Sequence, residues 1–567
     1  MLFDAASRGR YATDASIYQI EPVGVVIPRT EDAARVALAA EAGVPILPRG
    51  AGTSQCGQTV GAALVIDNSK HLDKVLELDV GRREAVVQPG LVLDQLSARL
   101  RPHSLWFPVD VSTPAQATLG GMAGNNSCGA RSIRYGNMVH NVLGIEAWLA
   151  TGEVLAFGPV GSAGGADPGR ALAARIDAIV RREAAEIRAR WPTVLRRAVP
   201  LEHLVEYTDR LTKVFEKHST RGTWYAHASV GTLHVRPVLN MKADGARKMR
   251  AIAEEACAMV REFKGAAFSG EHGDGLVRSE WIEPILGPRI VRALEDIKAV
   301  LDPKGLMNPG KIVRPTRMDD AALLRFKPGY ATQRVNPALD WSEWGPNEGG
   351  AGFAAAVEMC NNNGHCRKFD AGTMCPSFRA TGDERHLTRG RANTLRLALS
   401  GQLGPGALVS GELYAAMDLC VGCKGCKREC PTGVDMARMK VEFLHHYHGR
   451  HGYRARDRGA AGERDVVLLV DTFTNAFEPE NARAAVRVLE VEVVEPSCCG
   501  MAGAFGYDAS HYDVSLRMAE ASLLPAVRAV APDTLVVADG TSCRHQIRDF
   551  SAREAQHVAR VLERALA

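Results

Sequence analysis

The sequence predicts an α+β, multidomain protein, and three observations carry that reading. A chain of 567 residues is too long for one hydrophobic core and calls for three or four domains. Its first part alternates short apolar runs with capped helical patterns and glycine-rich turns, which mixes helix with strand. The run Cys420-Val-Gly-Cys423-Lys-Gly-Cys426-Lys-Arg-Glu-Cys430-Pro431 has the spacing C-x2-C-x2-C-x3-C-P of iron–sulfur ligation.

Composition narrows the function classes. Lys and Arg number 69 against 65 Asp and Glu, so no basic field argues for nucleic acid. No run of about 18 apolar residues occurs, so no transmembrane span is expected. The start, Met1-Leu-Phe-Asp-Ala, carries no apolar signal region. Of thirteen cysteines, seven lie between Cys360 and Cys430. Without a secretion signal that clustering reads as metal ligation, not disulfides, and as a reducing cytoplasm, with a partner at the inner membrane face left open.

In chain order, Thr30-Glu31-Asp32 opens an apolar-periodic run to Ala42 with Gly43 behind it, a capped helix with acids in its first turn. Residues 44–48 read as a buried strand. It feeds Arg49-Gly50-Ala51-Gly52-Thr53-Ser54-Gln55-Cys56-Gly57-Gln58, whose glycines let the backbone turn its N–H groups inward. Such concave amide arrays bind phosphate oxygens, and Thr53 and Ser54 add hydroxyl donors. A plain surface turn looks the same. The loop is not the dinucleotide G-x-G-x-x-G, because Gln55 stands at the third glycine.

A second segment runs from Pro108-Val-Asp110 through Ala117-Thr118-Leu119-Gly120-Gly121-Met122-Ala123-Gly124-Asn125-Asn126-Ser127-Cys128-Gly129 to Tyr135-Gly136 and a strand-like stretch at 142–148. On its PRGxGTS loop and its TLGGMxxNNSCG…YG run, the chain resembles the FAD-binding domain of the vanillyl-alcohol oxidase/PCMH flavoprotein family. The resemblance implies a PCMH-type FAD-binding domain over 1–165. In it Arg49, Gly50, Ala51, Gly52, Thr53, Ser54 and Gln58 cradle the FAD pyrophosphate. Asp110, Thr118, Gly120, Gly121, Asn125, Gly129 and Gly136 lie along the flavin and its ribityl chain. Cys128 reads as a small buried filler.

The middle of the chain is helical in composition over 170–192 and again over 243–264, with strand character at Thr232–Val235. His227 and His234 stand seven apart, and Gly270-Glu271-His272-Gly273-Asp274-Gly275 follows about forty residues on. Imidazoles and a carboxylate suit Zn2+ or a similar divalent ion, although a lone histidine is more often a hydrogen-bonded core residue. The H-x6-H and GEHGDG…R motifs resemble those of FAD-linked D-2-hydroxyacid dehydrogenases, the D-lactate and D-2-hydroxyglutarate enzymes. The resemblance implies that His227, His234 and Glu271 hold a divalent metal and that His272 is the base beside the flavin. A metal that chelates a 2-hydroxy acid acidifies its hydroxyl, and an imidazole titrates near neutrality. Arg236 and Arg278 are candidates for the substrate carboxylate or are structural ion pairs.

Asp302-Pro303 to Asn308-Pro309-Gly310-Lys311 resembles the family's C-terminal DPxxxxNPGK end; Asn308 approaches the flavin there or forms a turn. Over 166–314 the domain reads as a shortened ferredoxin-like-oxidase cap remnant, since the family's GSEGTL-type run is missing.

Residues 315–350 read as a linker and 351–455 as a helical 4Fe-4S domain. Cys360-x5-Cys366-x8-Cys375-Pro376 is a stretched relative of the run at Cys420, although paired cysteines also bind zinc. By the ferredoxin crossover, Cys375 completes a cube with Cys420, Cys423 and Cys426, while Cys430 joins Cys360 and Cys366. Seven thiolates serve one [4Fe-4S] cluster fully and leave a second one ligand short. The helical stretch Leu387–Leu399, with Arg389, Arg391 and Arg396, supplies positive charge to an anionic cluster or is a solvated face.

Residues 460–567 read as a shortened α/β domain, with strands at 465–471 and 491–494 and a helix at 480–489. Its Cys498-Cys499-Gly500 resembles CCG-type cysteine-rich domains, and Cys498, Cys499 and Cys543 line a redox site or are buried thiols.

Together these readings describe an enzyme, an FAD- and iron–sulfur-dependent dehydrogenase of D-2-hydroxy acids passing electrons to a quinone or carrier protein. The alternative is a non-catalytic electron-transfer subunit or a degenerate remnant. Homo-oligomerisation is left open.

Overall fold

The computed structural model describes residues 1–31, 39, 41–158, 168–190, 199–227, 232–263, 267–270, 272–370, 372–452, 500–501, 505–538 and 540–557. Most of the helix expected over 30–42, the strands and helix expected between 465 and 494, and Cys498 and Cys499 lie outside the described residues. The chain divides into two compact units, Met1–Tyr330 and Ala331–Ala567.

The first unit is built on a parallel sheet of β1 (Gly24–Val26), β2 (Ile46–Arg49) and β3 (Leu64–Asp67), in the order β1-β3-β2. Val25, Leu47 and Val65 are buried completely, as apolar strands covered on both faces must be. Tyr11, at the end of helix Ala5–Tyr11, packs on them and donates its hydroxyl to Asp67 Oδ2 at 2.6 Å. At the β2 edge the chain returns: Ile46 N donates to Leu306 O and Asn308 N to Ile46 O, both at 2.8 Å. This pairing covers an otherwise open edge and brings the NPGK segment beside the loop that leaves β2.

Three antiparallel hairpins follow: β4 (Val75–Asp79) with β5 (Glu84–Val87), β6 (Ile145–Trp148) with β7 (Val154–Phe157), and β8 (Gly222–His227) with β9 (Thr232–Pro237). Helices Pro168–Arg190 and Gly245–Glu262 occupy the stretches where helical composition is expected. Gly245–Glu262 buries Ile252, Ala256, Met259 and Val260 against Tyr207, Leu211 and Phe215 of helix Leu204–Lys217. Apolar spacing of three and four fixes that face.

The second unit is helical around its cysteines. Helices Ala351–Glu358, Pro376–Thr381, Thr388–Leu399, Gly411–Asp418, Gly425–Glu429 and Met436–His451 enclose a core of Phe353, Phe378, Leu395, Met417 and Phe443. Every residue of Thr388–Leu399 is buried, arginines included, so the solvated-face reading of that stretch is corrected. Arg389 and Arg367 both pair with buried Glu384, at 2.7 Å, and Arg391 donates to Ala416 O and Ser377 Oγ. A short parallel pair, β10 (Val536–Val537) with β11 (Ala555–Gln556), lies near the end of the chain. Among the described residues no helix is long and apolar enough to cross a membrane.

Candidate functional site

The loop after β2 and the segment at Thr118 meet directly. A Cβ at Gly50 would run into Thr118 Oγ1, and one at Gly120 into Pro89, so both positions require glycine. Gly52 and Gly57 have φ of +62° and +78°, which turns the backbone as a phosphate loop requires. Thr118 precedes helix Leu119–Gly124, and its buried hydroxyl has no hydrogen-bond partner among the described residues. An orphaned hydroxyl in a glycine-walled seam fits a ligand rich in acceptor and donor oxygens, as FAD is. Arg49 contributes differently from a phosphate-facing cation. Its buried guanidinium donates to the carbonyls of Tyr11, Thr13 and Thr59 and holds the loop's base. Asp110 Oδ1 accepts from Arg131 N at 3.0 Å, and a Cβ at Gly129 would strike Asp110's backbone. Gly136 takes φ of +79°. Ser54 and Gln58 are joined by a hydrogen bond.

Gln58 is the junction of the site. Its Nε2 donates to His272 O at 2.6 Å and reaches Asn125 Oδ1 at 3.5 Å; its own carbonyl accepts from Asn308 Nδ2 at 3.0 Å. Lys311 Nζ in turn donates to Asn308 Oδ1 at 2.6 Å and to Val60 O, and burial lowers its pKa to about 8. Cys56 pins the same loop: its carbonyl accepts from Leu276 N, and Arg278 donates to its Sγ at 2.7 Å and to Gly273 O. Arg278 is therefore a brace within the loop that carries His272. Burial raises the Asp274 carboxyl above its usual range, with Arg278 opposing.

The β8–β9 hairpin brings up the other wall. His234 is buried, its ring 4.8 Å from that of His272. His227 pairs with Thr232 and Tyr225 with His234, so His227 and His234 are diagonal neighbours on the hairpin. The His227 side chain and Glu271 lie outside the described residues, so of the proposed metal triad only His234 has a described side chain. No group of three or more metal-ligating side chains is found among the described residues. Arg236, exposed on the same hairpin, donates to Gln55 Oε1 and Tyr225 Oη at 2.7 and 2.8 Å. Tyr225 had no expected role, although it stands at the alternation of His227, two residues back.

In the second unit two cysteine segments meet. Glu429 accepts from Thr373 N at 2.7 Å and pairs with Lys368 at 2.9 Å, tying the loop before Cys375 to helix Gly425–Glu429. Cys375 takes φ of +54°, and its Sγ accepts from Thr388 N at 3.0 Å. Burial opposes ionisation of Cys375, but the Cys366 thiol, the Arg391 charge and Thr388 outweigh it and lower the pKa to about 7. Cys426 Sγ accepts from Met436 N at 3.3 Å; burial, then the nearby Cys420 and Cys375, push its thiol up to about 12. Donors aimed at sulfur, facing thiols and buried arginines fit an anionic iron–sulfur cluster. Cys360 and Cys366 are buried beside Cys375, and Cys430 contacts Thr432. None of the described cysteines is in a disulfide.

Comparison with known proteins agrees with this composition. Residues 22–158 match an FAD binding domain, 158–312 the C-terminal domain of FAD linked oxidases, and 356–434 a 4Fe-4S dicluster domain. The chain is 25% identical to the D-2-hydroxyglutarate dehydrogenase of Pseudomonas putida, over 80% of this chain and 67% of the relative. It is 23% identical to that of Escherichia coli, over 83% and 68%. It is 36% identical to glycolate oxidase subunit GlcD of Bacillus subtilis, over 28% and 34%. The chain thus spans about two thirds of the length of the D-2-hydroxyglutarate dehydrogenases it matches. With its flavin and iron–sulfur domains in one chain, it is an FAD-linked, iron–sulfur oxidoreductase similar over most of its length to D-2-hydroxyglutarate dehydrogenases.

Proposed function

We propose that the protein is a D-2-hydroxyacid dehydrogenase that forms the 2-oxo acid and passes electrons onward to a quinone or protein acceptor. The observation that carries the reading is that His272, held by Gln58, lies against His234, while Arg236 on the same hairpin as His234 bonds Gln55 of the loop that carries Gln58.

FAD, when bound, takes two electrons from the substrate and releases them singly, which suits a flavin domain joined to an iron–sulfur domain in one chain. In this reading the chain's own residues do the rest. Arg236 binds the carboxylate, His272 removes the hydroxyl proton, and Gln58 holds His272's backbone in place. A divalent ion at His227, His234 and Glu271 would acidify the hydroxyl by Lewis polarisation. Cys375, Cys420, Cys423 and Cys426 hold one [4Fe-4S] cluster, and Cys360, Cys366 and Cys430 are too few for a second without an outside ligand.

Anaerobically purified, iron-reconstituted protein tests the reading. It should carry one FAD, about four irons per chain, and a flavin absorption bleached by a D-2-hydroxy acid. The variant C375A should lose the iron, and H272A should keep flavin yet bleach more slowly by about a hundredfold or more. A flavin that no D-2-hydroxy acid bleaches overturns the dehydrogenase reading. Iron and sulfide without stoichiometric flavin would make the chain an electron-transfer subunit.

A further inference from the structure

We infer that Tyr225 is a further substrate-binding residue, which with Arg236 grips a carboxylate of the acid to be oxidised. The inference rests on the site being one for 2-hydroxy acids, and it adds a residue that neither the motifs nor the family resemblance supplies.

The register of the hairpin generates the arrangement. Tyr225 lies directly opposite His234, and Thr223 opposite Arg236. Alternation along a strand puts His234 and Arg236 on one face, and cross-strand pairing puts Tyr225 on that face with them. The Tyr225 ring stacks on the His234 imidazole, with centroids 4.4 Å apart and planes within 8°. The Arg236 guanidinium lies 5.6 Å over the same ring, and its Nη2 donates to the phenol oxygen at 2.8 Å. One phenol thus bridges the imidazole pair and the guanidinium.

Its bonding state points outward. Tyr225 is 50% exposed although both its ring and its oxygen are engaged. The phenol oxygen accepts from Arg236, and its own O–H has no acceptor among the described residues. Arg236 is fixed through Nη2 by Gln55 and Tyr225, and its Nε and Nη1 have no partner among the described residues. A guanidinium anchored at one corner, beside an unspent hydroxyl donor, matches a carboxylate with two oxygens to satisfy. No bond forms or breaks at Tyr225; its part is to orient the acid toward His272.

The test compares wild type, Y225F and Y225L as full-length, flavin-loaded protein. The probes are oxalate, an inert anion followed by perturbation of the flavin spectrum, and whichever D-2-hydroxy acid bleaches the wild-type flavin. Y225F keeps the ring stack and removes only the hydroxyl. It should weaken oxalate binding and raise KM about tenfold, with kcat within about twofold and unchanged flavin content and Tm. Y225L should show at least the same loss. If Y225F matches wild type in oxalate affinity and KM, the inference is overturned. It is also overturned if kcat falls while KM and oxalate affinity hold, because Tyr225 then acts only through His234. Wild-type protein that binds neither oxalate nor any D-2-hydroxy acid overturns the dehydrogenase reading and this inference together; wild-type binding with an unaffected Y225F overturns this inference alone.

Discussion

Gln58 holds the His272 loop through one short hydrogen bond to a backbone carbonyl, so under the proposed function its side chain would act through His272 without touching substrate. Replacing it with methionine preserves bulk and deletes the donor. Q58M should retain flavin and substrate affinity while flavin reduction slows by about tenfold, measured by stopped-flow absorbance under anaerobic conditions. Loss of flavin instead would make Gln58 a cofactor contact and nothing more. Residues of this kind are only partly legible in a sequence. The histidines and the glycine loop announce themselves by chemical type and spacing. Tyr225 does not, because its place depends on which residue faces it across a turn. For Arg49 and Arg278 the sequence suggests a ligand-directed role, and for Arg278 a structural one beside it, because an arginine beside a glycine loop or after a histidine motif fits either. Here Arg49 is committed to the carbonyls of residues 11, 13 and 59, and Arg278 to Cys56 and Gly273.

Among the elements, helix Met436–His451 carries a second device, the fully buried Glu442. Its carboxylate accepts from Ala338 N, Leu339 N and Trp341 Nε1 and pairs with His446, clasping residues 338–341 to the helix. Burial alone would raise its pKa; the hydrogen bonds from His446, Trp341, Ala338 and Leu339 outweigh it and bring the value to about 2, against an ordinary 4.5. A folded-state pKa below the unfolded one stabilises the fold above about pH 4.5, and the contribution disappears as pH falls toward 2. Wild type should therefore exceed E442Q by about 3 kcal/mol near neutrality, and urea titrations should show the gap closing between pH 5 and pH 2. A gap constant across that range would refute the assignment. Helix Thr388–Leu399 shows where reading elements from sequence stops. Its helicity is plain, but Arg389, Arg391 and Arg396 look like a solvated face. All three are buried, and Arg389 and Arg391 are matched by Glu384, Ser377 and the carbonyl of Ala416, which arrive from other elements and which no local pattern discloses.

For the whole molecule, the division into a flavin-binding part and a cysteine-rich part was legible, since glycine loops and Cys-Pro runs are dense local signals. The closing of the first unit was not, since it joins segments hundreds of residues apart. Gln58 meets His272 across 214 positions and Asn308 across 250, and the edge of β2 is covered by residues 306–308. Contacts of that separation form late, because the loop between them must be ordered first. The consequence concerns biosynthesis. The loop at 49–58 leaves the ribosome early, but its last partner, Asn308, and the Lys311 that holds Asn308 follow it out only near the end of the unit, so FAD should be acquired near the end of the unit's translation. Ribosome-stalled chains with 300 residues emerged should retain no flavin, and chains with 330 emerged should retain it, as read by flavin fluorescence after pull-down. Retention at the shorter length would mean that the cradle needs neither Asn308 nor Lys311 to close.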